Sequence, residues 1–157
     1  RPVARGRQTP EMTPAHGDTQ PPRFTFPKTR RLVRQGDFRS TYALRASAAD
    51  PRIVVYARRT GQPITRIGLS VGRKHGNSVC RNRIKRLLRE AFRLSRHELP
   101  EGYDLIVVPR NVAAWSLTRL RESLLQVART AIARADAKQK RNSAGKTAAP
   151  QNRTPDP

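Results

Sequence analysis

Within one short stretch the chain sets Arg81, Arg83, Lys85, Arg86, Arg89, Arg93 and Arg96 against a single acid, Glu90. A guanidinium makes forked, two-point contacts to phosphate oxygens, and a lysine ammonium adds a compact charge. The chemistry open to this run is therefore the binding of phosphates on a polyanion. Asn82 stands among the cations, and its amide can both donate and accept toward a ribose hydroxyl or a base edge. On a helix Arg81, Lys85 and Arg89 form an i, i+4 ladder of like charges, each pair costing about 0.2–0.5 kcal/mol. A face solvated only by water does better with mixed signs, so the imbalance points to a phosphate-bearing partner.

The turn before this run, residues 74–78, leads straight into the helix start. Unpaired backbone N–H groups there favour an anion, which brings Lys74 and Asn77 into the candidate surface. Asn77 or Ser78 also suits a plain helix cap, and Gly76 suits a positive φ. A second group is aromatic. Phe38 and Tyr42, four apart, share one helix face. Tyr56 is flanked by Arg58 and Arg59, the aromatic-plus-cation arrangement of a platform for unpaired bases. Taken alone, Phe38 and Tyr42 are more often core residues than a binding platform. Trp115 and the lone Cys80 read as core packing.

These residues need elements to hold them. Gly36-Asp37 opens a helix that Ala49-Asp50-Pro51 breaks. Residues 52–57 form a β-branched strand, and in 65–71 Ile67, Leu69 and Val71 alternate as in a second strand. The short link between the two, with Gly61 and Pro63, predicts an antiparallel hairpin. The basic helix spans about 78–97. On it Cys80, Ile84, Leu87, Leu88, Ala91 and Leu94 fall in one apolar sector, and Arg81, Asn82, Lys85, Arg86, Arg89, Arg93 and Arg96 fill an adjoining one. Residues 103–108 are almost all apolar, as in a strand buried on both faces. A last helix begins at Trp115-Ser116, with Leu117, Leu120, Leu124, Val127 and Ala131 as its stripe. The order α-β-β-α-β-α predicts a small two-layer α-β sandwich of the α/β class.

Residues 28–136 thus form one folded domain. Residues 1–27 and 137–157 hold nine of the 13 prolines and few apolar side chains, and both are expected to be disordered basic tails. The net charge is +22, from 33 Lys+Arg against 11 Asp+Glu. Such self-repulsion calls for a polyanionic partner. One cysteine precludes an internal disulfide and fits a reducing compartment. No apolar run has membrane-spanning length or the character of a secretory signal. Cytoplasm is the expected location, with no membrane partner.

The stretch 68–92, GLSVGRKHGNSVCRNRIKRLLREAF, resembles the signature of the protein subunit of bacterial ribonuclease P, with Arg81-Asn82-Arg83, Lys85, Arg86 and Arg89 at its centre. The resemblance extends upstream through Thr29-Arg30-Arg31-Leu32 and Gly36-Asp37-Phe38, and downstream through residues 103–110. It implies a strand–basic helix–strand unit with an unusual left-handed crossover. It implies binding to a catalytic RNA through Arg81, Asn82, Arg83, Lys85, Arg86 and Arg89; from their place at the helix start and on the basic sector, Lys74, Asn77 and Arg93 are expected on the same surface. It further implies a cleft, formed by Phe38, Tyr42, Val54 and Tyr56, for the 5′ leader of a precursor tRNA. In such a holoenzyme, with one protein per RNA, the RNA carries out the endonucleolytic step with Mg²⁺. The protein is then expected to bind no cofactor, to hold no metal and to supply no catalytic residue.

Other classes fit less well. A self-sufficient nuclease needs clustered carboxylates or histidines for metal ions. Here Asp37, Asp50, Glu90, Glu98, Glu101, Asp104, Glu122 and Asp136 are scattered, and His16, His75 and His97 lack ligand spacing. A structural RNA-binding protein, such as a ribosomal one, fits the composition but not the long signature. A duplex DNA binder would show a helix-turn-helix or basic-zipper pattern, so DNA is not an expected partner.

Overall fold

The computed structural model describes residues 26–111 and 116–147. Helix α1 (Gln35–Ala43) is followed by strands β1 (Ser47–Ala49), β2 (Ile53–Arg59) and β3 (Arg66–Leu69), helix α2 (Ser78–Ser95), strand β4 (Tyr103–Pro109) and helix α3 (Leu117–Thr147). The α/β class stands, with one strand more than the sequence suggested. The four strands lie in the order β1-β2-β4-β3.

Strand β4 takes a central place because it can be buried on both faces, and Tyr103 through Val107 are all buried. This overturns the expected hairpin. β2 pairs antiparallel with β4, and β3 pairs with β4 in parallel, so β4 separates the two strands expected to be neighbours. The link between β2 and β3 instead crosses the entry to β4. There Thr60 N–H donates to the Gly102 carbonyl at 2.9 Å, and the Thr65 hydroxyl donates to the Pro100 carbonyl at 2.8 Å. A short connection favours adjacency only when no more apolar strand competes for the position.

Strand β1 occupies residues where the sequence predicts the end of the first helix. Its Ser-Ala-Ala sequence has high helix propensity, but the helix stops at Ala43, and Arg45 turns the chain at φ 52°. Ala48 then pairs with Val55. Ala46 and Ala48 are buried beneath α3, where small side chains let the helix lie close.

One face of the sheet carries Ile53, Val55, Ala57, Leu105 and Val107, all fully buried. Helix α3 covers this face with Leu120, Leu124, Val127, Ala128, Ala131, Ile132 and Ala135, so the predicted stripe holds and widens. Burying each leucine-sized side chain contributes about 1.5–3 kcal/mol. Ser116 starts α3, its hydroxyl accepting from Arg119 N–H at 3.3 Å; Trp115 lies outside the described residues. Helix α2 packs beside α3. The opposite face is covered only in part, by the short α1.

Helix α3 runs on to Thr147. Residues 137–147, expected as tail, are thus helical where the structure describes them. Lys, Gln, Arg and Ala are good helix formers, and contacts to the sheet edge hold the segment's first turn. Residues 1–25 and 148–157 of the expected tails lie outside the described residues. Among the described residues no helix is long and apolar enough to cross a membrane.

Candidate nucleic-acid interface

Helix α2 is set by its cap and its buried edge. Asn77 Oδ1 accepts from Cys80 N–H at 3.0 Å, which makes Asn77 the N-cap, and Gly76 adopts φ 110°. The buried residues are Ile84, Leu88, Ala91, Phe92 and Ser95. The packed edge is therefore rotated toward the basic sector relative to the sequence reading: Phe92 enters it, and Leu87 and Leu94 sit at its rim, half-buried. Cys80, expected in the core, is exposed. It lies in the first turn, where its neighbour is the Gly76 turn rather than the sheet; a Cβ on Gly76 would stand 3.1 Å from that of Cys80.

This rotation sorts the cations. Asn82, Arg83 and Arg86 are exposed, as is Lys74 beside the helix start. Arg81, Lys85, Arg89 and Arg93 are half-buried flanks. Arg93 is engaged by Glu90, whose carboxylate accepts from its Nε at 2.9 Å; that contact holds Glu90 below and Arg93 above their ordinary pKa ranges. Partial burial, and then the Arg31 charge, draws the Arg89 guanidinium below the ordinary arginine range. Burial followed by Arg30 does the same to Arg96. Like charges are thus brought together along this side of the domain.

The N-terminal segment supplies Arg30 and Arg31. Arg31 pairs as an isolated parallel bridge with Ile67 on the edge of β3, and Leu32 N–H donates to the Ile67 carbonyl at 2.8 Å. The Arg31 guanidinium lies 5.3 Å from the centre of the Phe26 ring, and Phe26 meets Phe92 edge to face at 5.7 Å. The Arg-Arg pair stood in the sequence match but was not read as part of the basic surface. Its proximity to Arg89 and Arg96 depends on strand placement that no local pattern reports.

The aromatic group comes together on the partly open face. Tyr56 and Val54 of β2 alternate toward that face, and Tyr42 of α1 meets Tyr56 edge to face with centroids 4.8 Å apart. Phe38 lies over Gly68 of β3; a Cβ there would come within 2.6 Å of the ring's Cζ and 3.1 Å of Leu32 Cβ. Glycine is thus what lets α1 approach the sheet. All four predicted cleft residues, Phe38, Tyr42, Val54 and Tyr56, are half-buried, each keeping part of its surface open.

Beneath α1 lies an ionic cluster that sequence reasoning missed. Asp104 is fully buried in β4. Its carboxylate accepts from Arg66 Nε and Nη2, both at 2.8 Å, and from Arg58 Nη2 at 2.9 Å. Asp37 of α1 approaches Arg66 at 3.3 Å and Arg58 at 3.9 Å. The hydrogen bond to Asp104 raises the Arg66 pKa above the ordinary range. A lone Asp inside an otherwise apolar strand was the available signal, because a buried carboxylate demands cationic partners.

A profile of the Ribonuclease P family matches residues 26–136. The chain belongs to the Ribonuclease P family. The Ribonuclease P protein component of Brevibacillus brevis is 39% identical over 106 residues, covering 66% of this chain and 84% of the relative. That of Alkaliphilus oremlandii is 42% identical over 81 residues, covering 52% and 71%. Among solved structures, the RNase P protein of Staphylococcus aureus superposes with a TM-score of 0.58 at 33% identity, covering 65% of this chain and 94% of the other. The Thermotoga maritima RNase P protein gives 0.57 at 33% identity, covering 61% and 92%. As a ribonuclease P protein component the chain is a subunit of a tRNA-processing endoribonuclease, and its partner in that ribonucleoprotein is RNA. The α2 surface and the aromatic cleft both fall within the family's matched span.

Proposed function

We propose that the chain binds the catalytic RNA of ribonuclease P through α2 and receives the 5′ leader of precursor tRNA in the cleft between α1 and the sheet, so assisting removal of the leader. The observation that carries this reading is the pairing of two surfaces. One is an acid-poor ridge with Asn82, Arg83 and Arg86 projecting and Arg81, Lys85, Arg89 and Arg93 along its flanks, with Lys74 at its start. The other is a half-open aromatic cleft, suited to bases that are already unpaired. Stacking on an aromatic side chain contributes about 1–3 kcal/mol per base and tolerates any leader sequence. Asn77 serves this surface as the cap that fixes the first turn of α2.

In this reading the RNA carries the hydrolytic chemistry and holds the Mg²⁺. The carboxylates nearest the cleft, Asp37 and Asp104, are taken up by Arg58 and Arg66 and have little left to offer a cation. One protein per RNA, acting in the cytoplasm, completes the proposal. Nothing in it calls for a membrane or for DNA.

The ridge is tested by replacing Arg83 and Arg86 together with alanine. Both side chains are exposed, so the fold should be retained. Filter-binding titration of the catalytic RNA should show roughly ten-fold weaker assembly and a salt slope reduced by about 1.5, since each phosphate contact contributes about 0.7–0.9 to that slope. Unchanged assembly would remove α2 from the RNA interface.

A further inference from the structure

We infer that the end of α3, residues 137–147, is a second RNA-binding element that follows the single-stranded leader beyond the aromatic cleft. This inference rests on the leader-cleft reading above and extends it to a segment outside the family match, which ends at 136. The segment carries Lys138, Lys140, Arg141 and Lys146 and no acid.

Its position is fixed by side chains that reach the edge of the cleft. Gln139 grips the end of β2 in both directions: Arg59 N–H donates to its Oε1 at 2.8 Å, and its Nε2 donates to the Arg59 carbonyl at 3.0 Å. Beside it Lys138 donates to the Arg45 carbonyl, and about one turn earlier Arg134 donates to the Ser47 carbonyl at 2.6 Å. These acceptors border the aromatic pair. Ser47 is the register partner of Tyr56, and Arg45 N–H donates to the Tyr42 carbonyl at 3.0 Å. The helix is thus tied to the domain where the cleft's two tyrosines are held.

Past that clamp the helix leaves the domain. Every residue from Lys140 to Lys146 is exposed, and none but Ala144 is apolar. A helix polar on all sides has no face to bury, and Gly145 weakens it further. It gains nothing from a core, whereas its unopposed cations suit phosphates. At about 1.5 Å per residue the segment reaches about 16 Å, long enough to accompany several nucleotides of an extended strand. Helix α3 itself covers the opposite face of the sheet, but its clamp reaches the β1 edge that borders Tyr56 and the turn after Tyr42, whereas the basic ridge is on α2; among RNA partners the leader is therefore favoured over the catalytic RNA.

The test uses the holoenzyme with a Lys140→Gln, Arg141→Gln, Lys146→Gln triple variant. Binding is measured to mature tRNA, to a precursor whose leader fills only the cleft, and to one with a leader several times longer. The variant should bind the long-leader precursor roughly five-fold more weakly than wild type, with a salt slope lower by about 2. Its affinity for the other two RNAs and for the catalytic RNA should be unchanged. Equal affinity of variant and wild type for the long leader would overturn the inference. So would an equal loss on mature tRNA or on the catalytic RNA, which would place the segment against another part of the assembly. A wild-type holoenzyme that binds long-leader precursor no better than mature tRNA would overturn the cleft reading itself.

Discussion

Tyr42 of α1 and Tyr56 of β2 meet edge to face, ring centroids 4.8 Å apart and planes at 71°. Such pairs contribute about 0.5–1.5 kcal/mol beyond the area they bury, so this one helps hold α1 against the sheet. Both residues remain half-buried, and the exposed part of each ring faces the side of the sheet that no long helix covers. One contact therefore both braces the cleft and forms its floor.

Replacing Tyr56 with alanine should weaken binding of precursor tRNA to the holoenzyme by roughly ten-fold, the loss of about one base stack. Mature tRNA should be unaffected, and Tyr56→Phe should stay within about two-fold of wild type because the ring survives. Equilibrium binding of the two RNAs checks this; equal losses on both would show that Tyr56 acts through the fold alone.

The buried carboxylate of Asp104 holds Arg58 and Arg66 beneath α1. Asp104→Asn keeps the shape but leaves two cations short of their counter-charge, and should cost about 3 kcal/mol. A urea titration should show the midpoint falling at an unchanged slope. An unshifted midpoint would mean that the cluster adds no net stability.

Much of this arrangement was legible in the residues, and the remainder fails for identifiable reasons. The periodic α2 and the nearly all-apolar β4 are local features, and both elements stand in the structure, with the packed edge of α2 rotated. The β2–β3 neighbour relation is non-local. It was decided by β4, which lies more than thirty positions beyond β3 in the chain, so no turn signal could report it. Residues 47–49 have helix-forming alanines in a strand because pairing and burial under α3 outweigh propensity. Cys80 follows the apolar period of α2 yet is exposed, because periodicity does not show where a helix passes the edge of its core. Phe38, Tyr42, Val54 and Tyr56 gather on one side of the sheet, but the reason they can meet, Gly68 beneath Phe38, depends on tertiary contact.

Asp50 fastens the turn into β2, its Oδ1 accepting from Arg52 N–H at 2.8 Å and Ile53 N–H at 2.7 Å. Burial pushes its pKa up, but hydrogen bonds from Ser123, Ile53 and Arg52, with the Arg52 charge, together hold it below the ordinary 3.8. A carboxylate lowered in the folded state stabilises fully above its unfolded value and loses that contribution as pH falls through the folded one. Asp50→Ala should therefore cost about 2 kcal/mol near neutrality, and the gap should close as pH drops below about 3.8. Chemical denaturation across a pH series would reveal a constant gap if the charge were irrelevant.

Adding the full chain to a bacterial ribonuclease P RNA at low Mg²⁺, and following cleavage of precursor tRNA, addresses the proposed function most directly. Cations on α2 that neutralise RNA phosphates should substitute for part of the Mg²⁺ the RNA alone requires, and a cleft that holds the leader should favour precursor over product. The account predicts that leader removal is restored at the mature 5′ end in the presence of the protein. An RNA that binds the chain with the expected salt dependence yet cleaves no faster would contradict it, leaving a structural RNA-binding role.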